Sequence, residues 1–144
     1  MSSSLILRAV EFAARAHNGQ VDKRGEPYLF HLLRVSRAVM AATQYDKAAI
    51  AALLHDVLED TSVTEDQIWL SFGPEVLDMV KTVTRKNGDS YRGFIDGIVA
   101  KGGNAVLIKL ADIRDHLATI DEIPDSASLK RRYLDARAVL EDQL

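Results

Sequence analysis

The sequence predicts an all-α bundle of about seven to eight helices, and three features carry that expectation. Leu5, Ile6, Ala9, Val10, Phe12, Ala13 and Ala16 recur at the spacing of one buried helix face. Helix-starting and helix-ending residues punctuate the chain at regular intervals. No segment alternates apolar and polar residues as a half-buried strand would. With 144 residues, 47% apolar and 27% charged, residues 1–144 are expected to form one domain with an ordinary hydrophobic core.

The first helix is expected to end near His17-Asn18-Gly19, where the glycine suits a helix C-terminus. A polar loop follows from Gln20 to Pro27, then a second helix from about Tyr28 to Thr43. Asp46 suits the N-cap of a third helix through Leu58. Its residues Ala48 to Leu54 are apolar nearly all round, which marks it as the buried central element. Thr64-Glu65-Asp66-Gln67 is a capping-box pattern, and Phe72-Gly73-Pro74 ends that helix and starts the next, through Val83. After Asn87-Gly88, helices are expected over Tyr91–Ala100, Val106–Ile120 and, past Pro124-Asp125-Ser126, to Leu144.

Composition narrows the chemistry. The chain has no cysteine, which removes thiol nucleophiles, thiolate zinc sites and disulfides. The N-terminal residues lack the basic stretch of a signal peptide, and no apolar run is long enough to cross a bilayer. A cytoplasmic location is expected. The net charge of −3 offers no general attraction to nucleic acid or to an anionic membrane. An anionic substrate therefore has to meet a local basic patch or a bound cation. The sequence leaves the oligomeric state open.

The expected central helix ends in Leu53-Leu54-His55-Asp56-Val57-Leu58-Glu59-Asp60, four ionisable groups at the end of the most apolar segment. Burying them unpaired is costly. On a continuous helix, His55 and Glu59 share a face, as do Asp56 and Asp60. A solvated helix end accounts for a lone acidic pair; an adjacent His and Asp inside a core helix call for more. A divalent cation would take the His55 imidazole and neutralise Asp56. His31 tips an apolar segment, where a satisfied core histidine is the plainer reading. Asp112 interrupts the apolar run Ala105 to Ala111, where a charge partner in Lys109 or Arg114 is the plainer reading. Two His and two Asp, each set in an apolar helix, are harder to explain separately.

His31, His55-Asp56 and Asp112 resemble the H…HD…D signature of the HD phosphohydrolase superfamily. The order of Ala16-His17-Asn18-Gly19-Gln20, Gly25-Glu26-Pro27-Tyr28, Ala52 through Thr61, Phe72-Gly73 and Ile108-Lys109-Leu110-Ala111-Asp112 narrows this. It resembles the hydrolase domain of RelA/SpoT homologues, in the form of the stand-alone small alarmone hydrolases. The resemblance implies an HD-domain helical fold and removal of the 3′-pyrophosphate of (p)ppGpp. It implies metal ligands at His31, His55, Asp56 and Asp112, with manganese or another first-row divalent ion. It also implies a catalytic pair at Glu59 and Asp60, which would orient and deprotonate the attacking water.

The substrate side departs from that family. Relatives carry Arg-Lys before the Gly-x-Pro-Tyr turn, the Arg stacking on the base; here the places read Asp22-Lys23, with Arg24 adjacent. The family Asn four residues after the last metal-ligating Asp is His116, while Thr119 is kept. Lys23, Arg24, Arg92 and Tyr133 are further candidates for pyrophosphate or base contacts. Asp22 offers only acceptors and suits an exocyclic amine, such as the 6-amino group of adenine or, with the base turned over, the 2-amino group of guanine. Three readings follow: hydrolysis of (p)ppGpp and/or (p)ppApp, HD-type hydrolysis of another nucleotide, or a non-catalytic nucleotide-binding regulator. The last would predict loss of a ligand or of the Glu-Asp pair, and neither is lost.

Overall fold

The computed structural model describes residues 2–144. Among them nine α-helices and one 3-10 turn follow in order: α1 Ser2–Ala16, α2 Leu29–Thr43, α3 Asp46–Leu53, α4 Val57–Asp60, α5 Glu65–Phe72, α6 Pro74–Thr82, α7 Tyr91–Lys101, α8 Asn104–Thr119, the 3-10 turn Ile120–Glu122, and α9 Ala127–Glu141. The extended structure among these residues is a single antiparallel bridge, Val21 to Pro27, inside the polar loop. Among the described residues no helix is long and apolar enough to cross a membrane.

The core forms around α3, whose residues Ala48 to Leu53 are all buried. Its alanines let neighbours approach on every side, and α1, α2, α6 and α8 pack against it. Leu32, Val35 and Val39 of α2 and Ile108, Leu110 and Ile113 of α8 complete the same cluster. Ser36 of α2 is buried among them and donates its hydroxyl to the Ala49 carbonyl at 2.8 Å.

Local signals in the sequence set several boundaries. At α5, Thr64 Oγ1 accepts from the Gln67 amide at 3.2 Å, and Gln67 Oε1 accepts from the Thr64 amide at 2.9 Å. Gly73, at φ +90°, closes α5 and opens α6 in a conformation costly for a residue with a Cβ, and Pro74 supplies the first turn of α6.

One expectation is corrected. The central helix does not run from Asp46 to Leu58. It stops at Leu53, turns through Leu54 (φ −101°, ψ 4°) to Asp56 (φ −107°, ψ −1°), and restarts as the one-turn α4. Successive residues on a helix point about 100° apart, so an unbroken helix would aim His55 and Asp56 at different neighbours. The break brings both side chains to one point, and it accounts for the ninth helix.

Replacing the α5 cap, Thr64→Ala, removes an acceptor for one orphan amide and should destabilise the fold by about 1 kcal/mol. The check is a lowered urea midpoint at unchanged denaturant slope.

Candidate functional site

The side chains that interrupt the apolar helices converge on Asp112. From α8, its Oδ1 lies 3.0 Å from His31 Nε2, 3.2 Å from His55 Nε2 and 3.1 Å from His116 Nε2. Its Oδ2 accepts from Lys109 Nζ at 2.8 Å, and the same ammonium lies over the Phe94 ring. Asp112, His31 and His55 are buried. Burial works to raise the Asp112 pKa, but Lys109 and His55 overcome it and hold the carboxyl well below its usual range.

The remaining nitrogens of two imidazoles are fixed from behind. His55 Nδ1 lies 2.6 Å from the Ala52 carbonyl, which can only accept, so that nitrogen carries the proton. His31 Nδ1 lies 2.7 Å from Asp115 Oδ2, and Arg34 holds both Asp115 oxygens. Asp56 joins the cluster with Oδ2 at 3.1 Å from His55 Nε2, and the Tyr28 hydroxyl donates to that same oxygen. His31, His55, Asp56 and Asp112 each present one donor atom, and the four atoms lie within 4.8 Å of one another. Two imidazole nitrogens and two carboxylate oxygens, with their second atoms tied down, form a group that could hold a divalent first-row ion.

His31, Asp56 and Asp112 of this cluster line a cleft of about 390 Å³, and His55 is buried beside them. Glu59 and Asp60 of α4 stand in its wall. Partial desolvation there, reinforced by Asp56, raises the pKa of both above the ordinary carboxylate value. Glu59 Oε1 also accepts the Arg85 backbone N–H, which fixes one of its oxygens. Lys23 and Arg24 of the polar loop line the cleft, as do Thr119, His116 and Tyr133. The His116 ring stacks on His31 and on Tyr133.

Arg92 is absent from the lining. It sits exposed on α7, paired with Asp96 one turn on at 2.9 Å. Asp22 lines the cleft, but its Oδ1 accepts the amides of Arg24 at 2.8 Å and Glu26 at 3.0 Å. Its carboxylate organises the loop, which leaves it less free for a base amine than its sequence position implies. The Arg24 guanidinium is likewise engaged, with Glu26 at 2.8 Å and Glu122 at 3.7 Å.

Tyr28, Arg34, Lys109 and Asp115 are site residues that the sequence analysis did not assign. For three of them a signal existed: Lys109 was a candidate charge partner of Asp112, Asp115 follows Asp112 by three residues and Arg34 follows His31 by three, the spacing of one helix face. Arg85 and Tyr91 also line the cleft, and they come from a connection and a helix start with no such mark.

The sequence model of the HD domain family matches residues 9–91 of the chain. The chain belongs to the HD domain family. A GTP pyrophosphokinase of Myxococcus xanthus is 32% identical over 157 aligned residues, covering 97% of this chain and 20% of the relative. The guanosine-3′,5′-bis(diphosphate) 3′-pyrophosphohydrolase of Borreliella burgdorferi is 46% identical over 130 residues, covering 83% and 19% respectively. That of Aquifex aeolicus is 37% identical over 123 residues, covering 80% and 18%. This HD domain thus spans about a fifth of the length of these curated relatives. Among solved structures, a metazoan orthologue of SpoT, described as hydrolysing ppGpp and acting in starvation responses, superposes with a TM-score of 0.82. It is 29% identical and is covered over 85% of its length, against 97% of this chain.

Two backbone amides donate to Asp22. Burial opposes them, yet its pKa lies below the model-compound value. A depressed carboxyl stabilises the loop above its unfolded pKa and loses that contribution as pH falls through the depressed value. Hydrogen-exchange protection of the Arg24 and Glu26 amides should therefore hold at neutral pH and fall on acidification below about pH 4. Asp22→Ala should abolish it at every pH.

Proposed function

We propose that this HD domain hydrolyses the 3′-pyrophosphate of alarmone nucleotides, (p)ppGpp and/or (p)ppApp, and releases pyrophosphate. The observation that carries the reading is the set of four donor atoms within 4.8 Å of one another, three of whose residues line a cleft that also presents Glu59 and Asp60. The names of the Borreliella and Aquifex relatives and the metazoan ppGpp hydrolase support the substrate class.

His31, His55, Asp56 and Asp112 are assigned as ligands of manganese or another divalent first-row ion. Such an ion, when bound, acidifies water and neutralises charge on a phosphoryl oxygen. Glu59 and Asp60 orient the attacking water and take its proton; raised carboxyl pKa values suit a general base near neutrality. Glu59 holds its orientation through the Arg85 amide. Lys23 and Arg24 are assigned to the phosphates, since charge-assisted hydrogen bonds to phosphate oxygens are among the stronger contacts available. Thr119, His116 and Tyr133, which also line the cleft, are assigned to the nucleoside. The substrate is a small anion, and the acidic balance of the chain argues against a nucleic-acid partner. Asp22 stands where relatives carry the stacking Arg, and its carboxylate is engaged within its own loop. A weak preference between guanine and adenine follows.

The ligand assignment is tested by calorimetry with manganese. Asp56→Asn should abolish binding and turnover together. Asp115→Asn leaves the four donors in place but releases the His31 imidazole, and should weaken affinity by about 10–100-fold. Wild-type turnover under thorough chelation would overturn the assignment.

Chemistry is separated from binding by the double variant Glu59→Gln, Asp60→Asn. It should keep manganese and nucleotide binding while turnover falls by about two to four orders of magnitude. Wild-type protein, manganese-loaded, should release pyrophosphate from ppGpp, pppGpp and ppApp and leave ordinary nucleotides intact. Hydrolysis of the ordinary nucleotides alone would replace this reading with a general nucleotide phosphohydrolase.

A further inference from the structure

His17 is buried yet lies outside the donor cluster, on the last turn of the first helical stretch. Its Nδ1 is 2.7 Å from Gln20 Oε1, and Gln20 Nε2 lies 3.4 Å from Asp60 Oδ2. The other ring nitrogen, Nε2, is buried without a hydrogen-bond partner. An unpaired buried nitrogen is a cost that an apolar side chain in the same space would avoid. The histidine is therefore unfavourable here as packing, and what it offers is the contact made by Nδ1.

The direction of the chain follows from donor and acceptor types. An ionised Asp60 carboxylate only accepts, so Gln20 must present its amide NH₂ to it. The Gln20 carbonyl oxygen then faces His17, and a carbonyl oxygen only accepts, so His17 Nδ1 carries the proton. The rest of Gln20 is anchored. Its amide N–H donates to the His17 carbonyl at 2.9 Å and its carbonyl accepts from the Tyr28 amide at 3.0 Å. The Tyr28 ring packs against the His17 ring at 5.4 Å between centroids. The Gln20 backbone is thus fixed at both its polar groups, and the His17 ring is packed against an aromatic neighbour.

From this geometry we infer that His17 and Gln20 are positioning residues for Asp60, His17 fixing the Gln20 amide so that its NH₂ aims one carboxylate oxygen into the cleft. The inference rests on the hydrolase reading for its kinetic test, because Asp60 acts there on water. Neither residue touches the donor cluster, so their effect falls on turnover and not on binding.

The experiment measures steady-state kinetics on ppGpp and ppApp, manganese affinity and thermal midpoint for wild-type protein, Gln20→Met, His17→Phe and the double variant. Gln20→Met keeps shape and removes the donor; it should lower kcat by about tenfold, the worth of one hydrogen bond to a charged group. KM and manganese affinity should stay within about twofold. His17→Phe should also lower kcat while raising the thermal midpoint, because it removes the unpaired nitrogen. The double variant should be no slower than Gln20→Met alone, since both act through one chain. An unchanged kcat in Gln20→Met, a parallel loss of manganese affinity, or additive losses in the double variant would each overturn the inference. A second arm is independent of turnover. The side-chain amide resonances of Gln20 should shift in Asp60→Asn and in His17→Phe, and resonances indifferent to both would also overturn it. If wild-type protein cleaves no 3′-pyrophosphate nucleotide, the function reading fails and this arm alone decides the hydrogen-bond chain.

Discussion

A carboxylate buried in an apolar helix is the constraint around which this molecule is arranged. Asp112 sits among Ile108, Leu110 and Ile113, side chains that offer it no polar contact. Leaving it alone would cost several kcal/mol, and the cost falls only when opposite charge and donors surround it. Lys109 takes one oxygen and three imidazoles face the other. Lys109 is itself perturbed: burial works against its charge, and Asp112 more than restores it. The two are mutually dependent, and removing either leaves an uncompensated buried ion. His31, His55 and His116 reach Asp112 from α2, the turn after α3, and α8 itself. The packing of these elements around the apolar α3 therefore also assembles the polar floor of the cleft.

The same constraint explains the break in the central helix. The alanines of α3 allow dense packing on all sides, and the cluster lies where α3 runs out. Continuing as a helix would aim only one of His55 and Asp56 at the cluster. The turn at residues 54–56 aims both, while the His55 Nδ1 bonds the Ala52 carbonyl, which also accepts the His55 backbone N–H at 3.4 Å. α4 then carries Glu59 and Asp60 to the cleft wall.

The helical class, most element boundaries and the meeting of His31, His55, Asp56 and Asp112 were legible because each rests on a local signal. Apolar period, the Thr64–Gln67 cap and the Gly73-Pro74 junction are written in adjacent residues. Ionisable residues inside apolar runs announce themselves by contrast. The break at Leu54 was not legible, since Leu53-Leu54 continues the helical pattern and the cause is the contact of His55 with Asp112, 57 residues further on. Asp22 shows the opposite failure. Its type and place invite a ligand contact, but its partners are the amides of Arg24 and Glu26 two and four residues on, an Asx-type turn that the sequence alone permits without requiring. Arg92 was misplaced for a simpler reason: it lies next to Tyr91, which lines the cleft, but helix rotation turns it to solvent.

The separation of the cluster along the chain has a topological consequence. His31 and Asp112 are 81 residues apart, with the His55-Asp56 pair between them. An occupant held by all four closes two long chain loops at a single point, as a covalent clip would. Binding and folding then share one free energy, so the folded fraction responds to the occupant's concentration. A purification step that strips the occupant would leave a looser bundle whose first region to open is the junction of α2, the α3–α4 turn and α8.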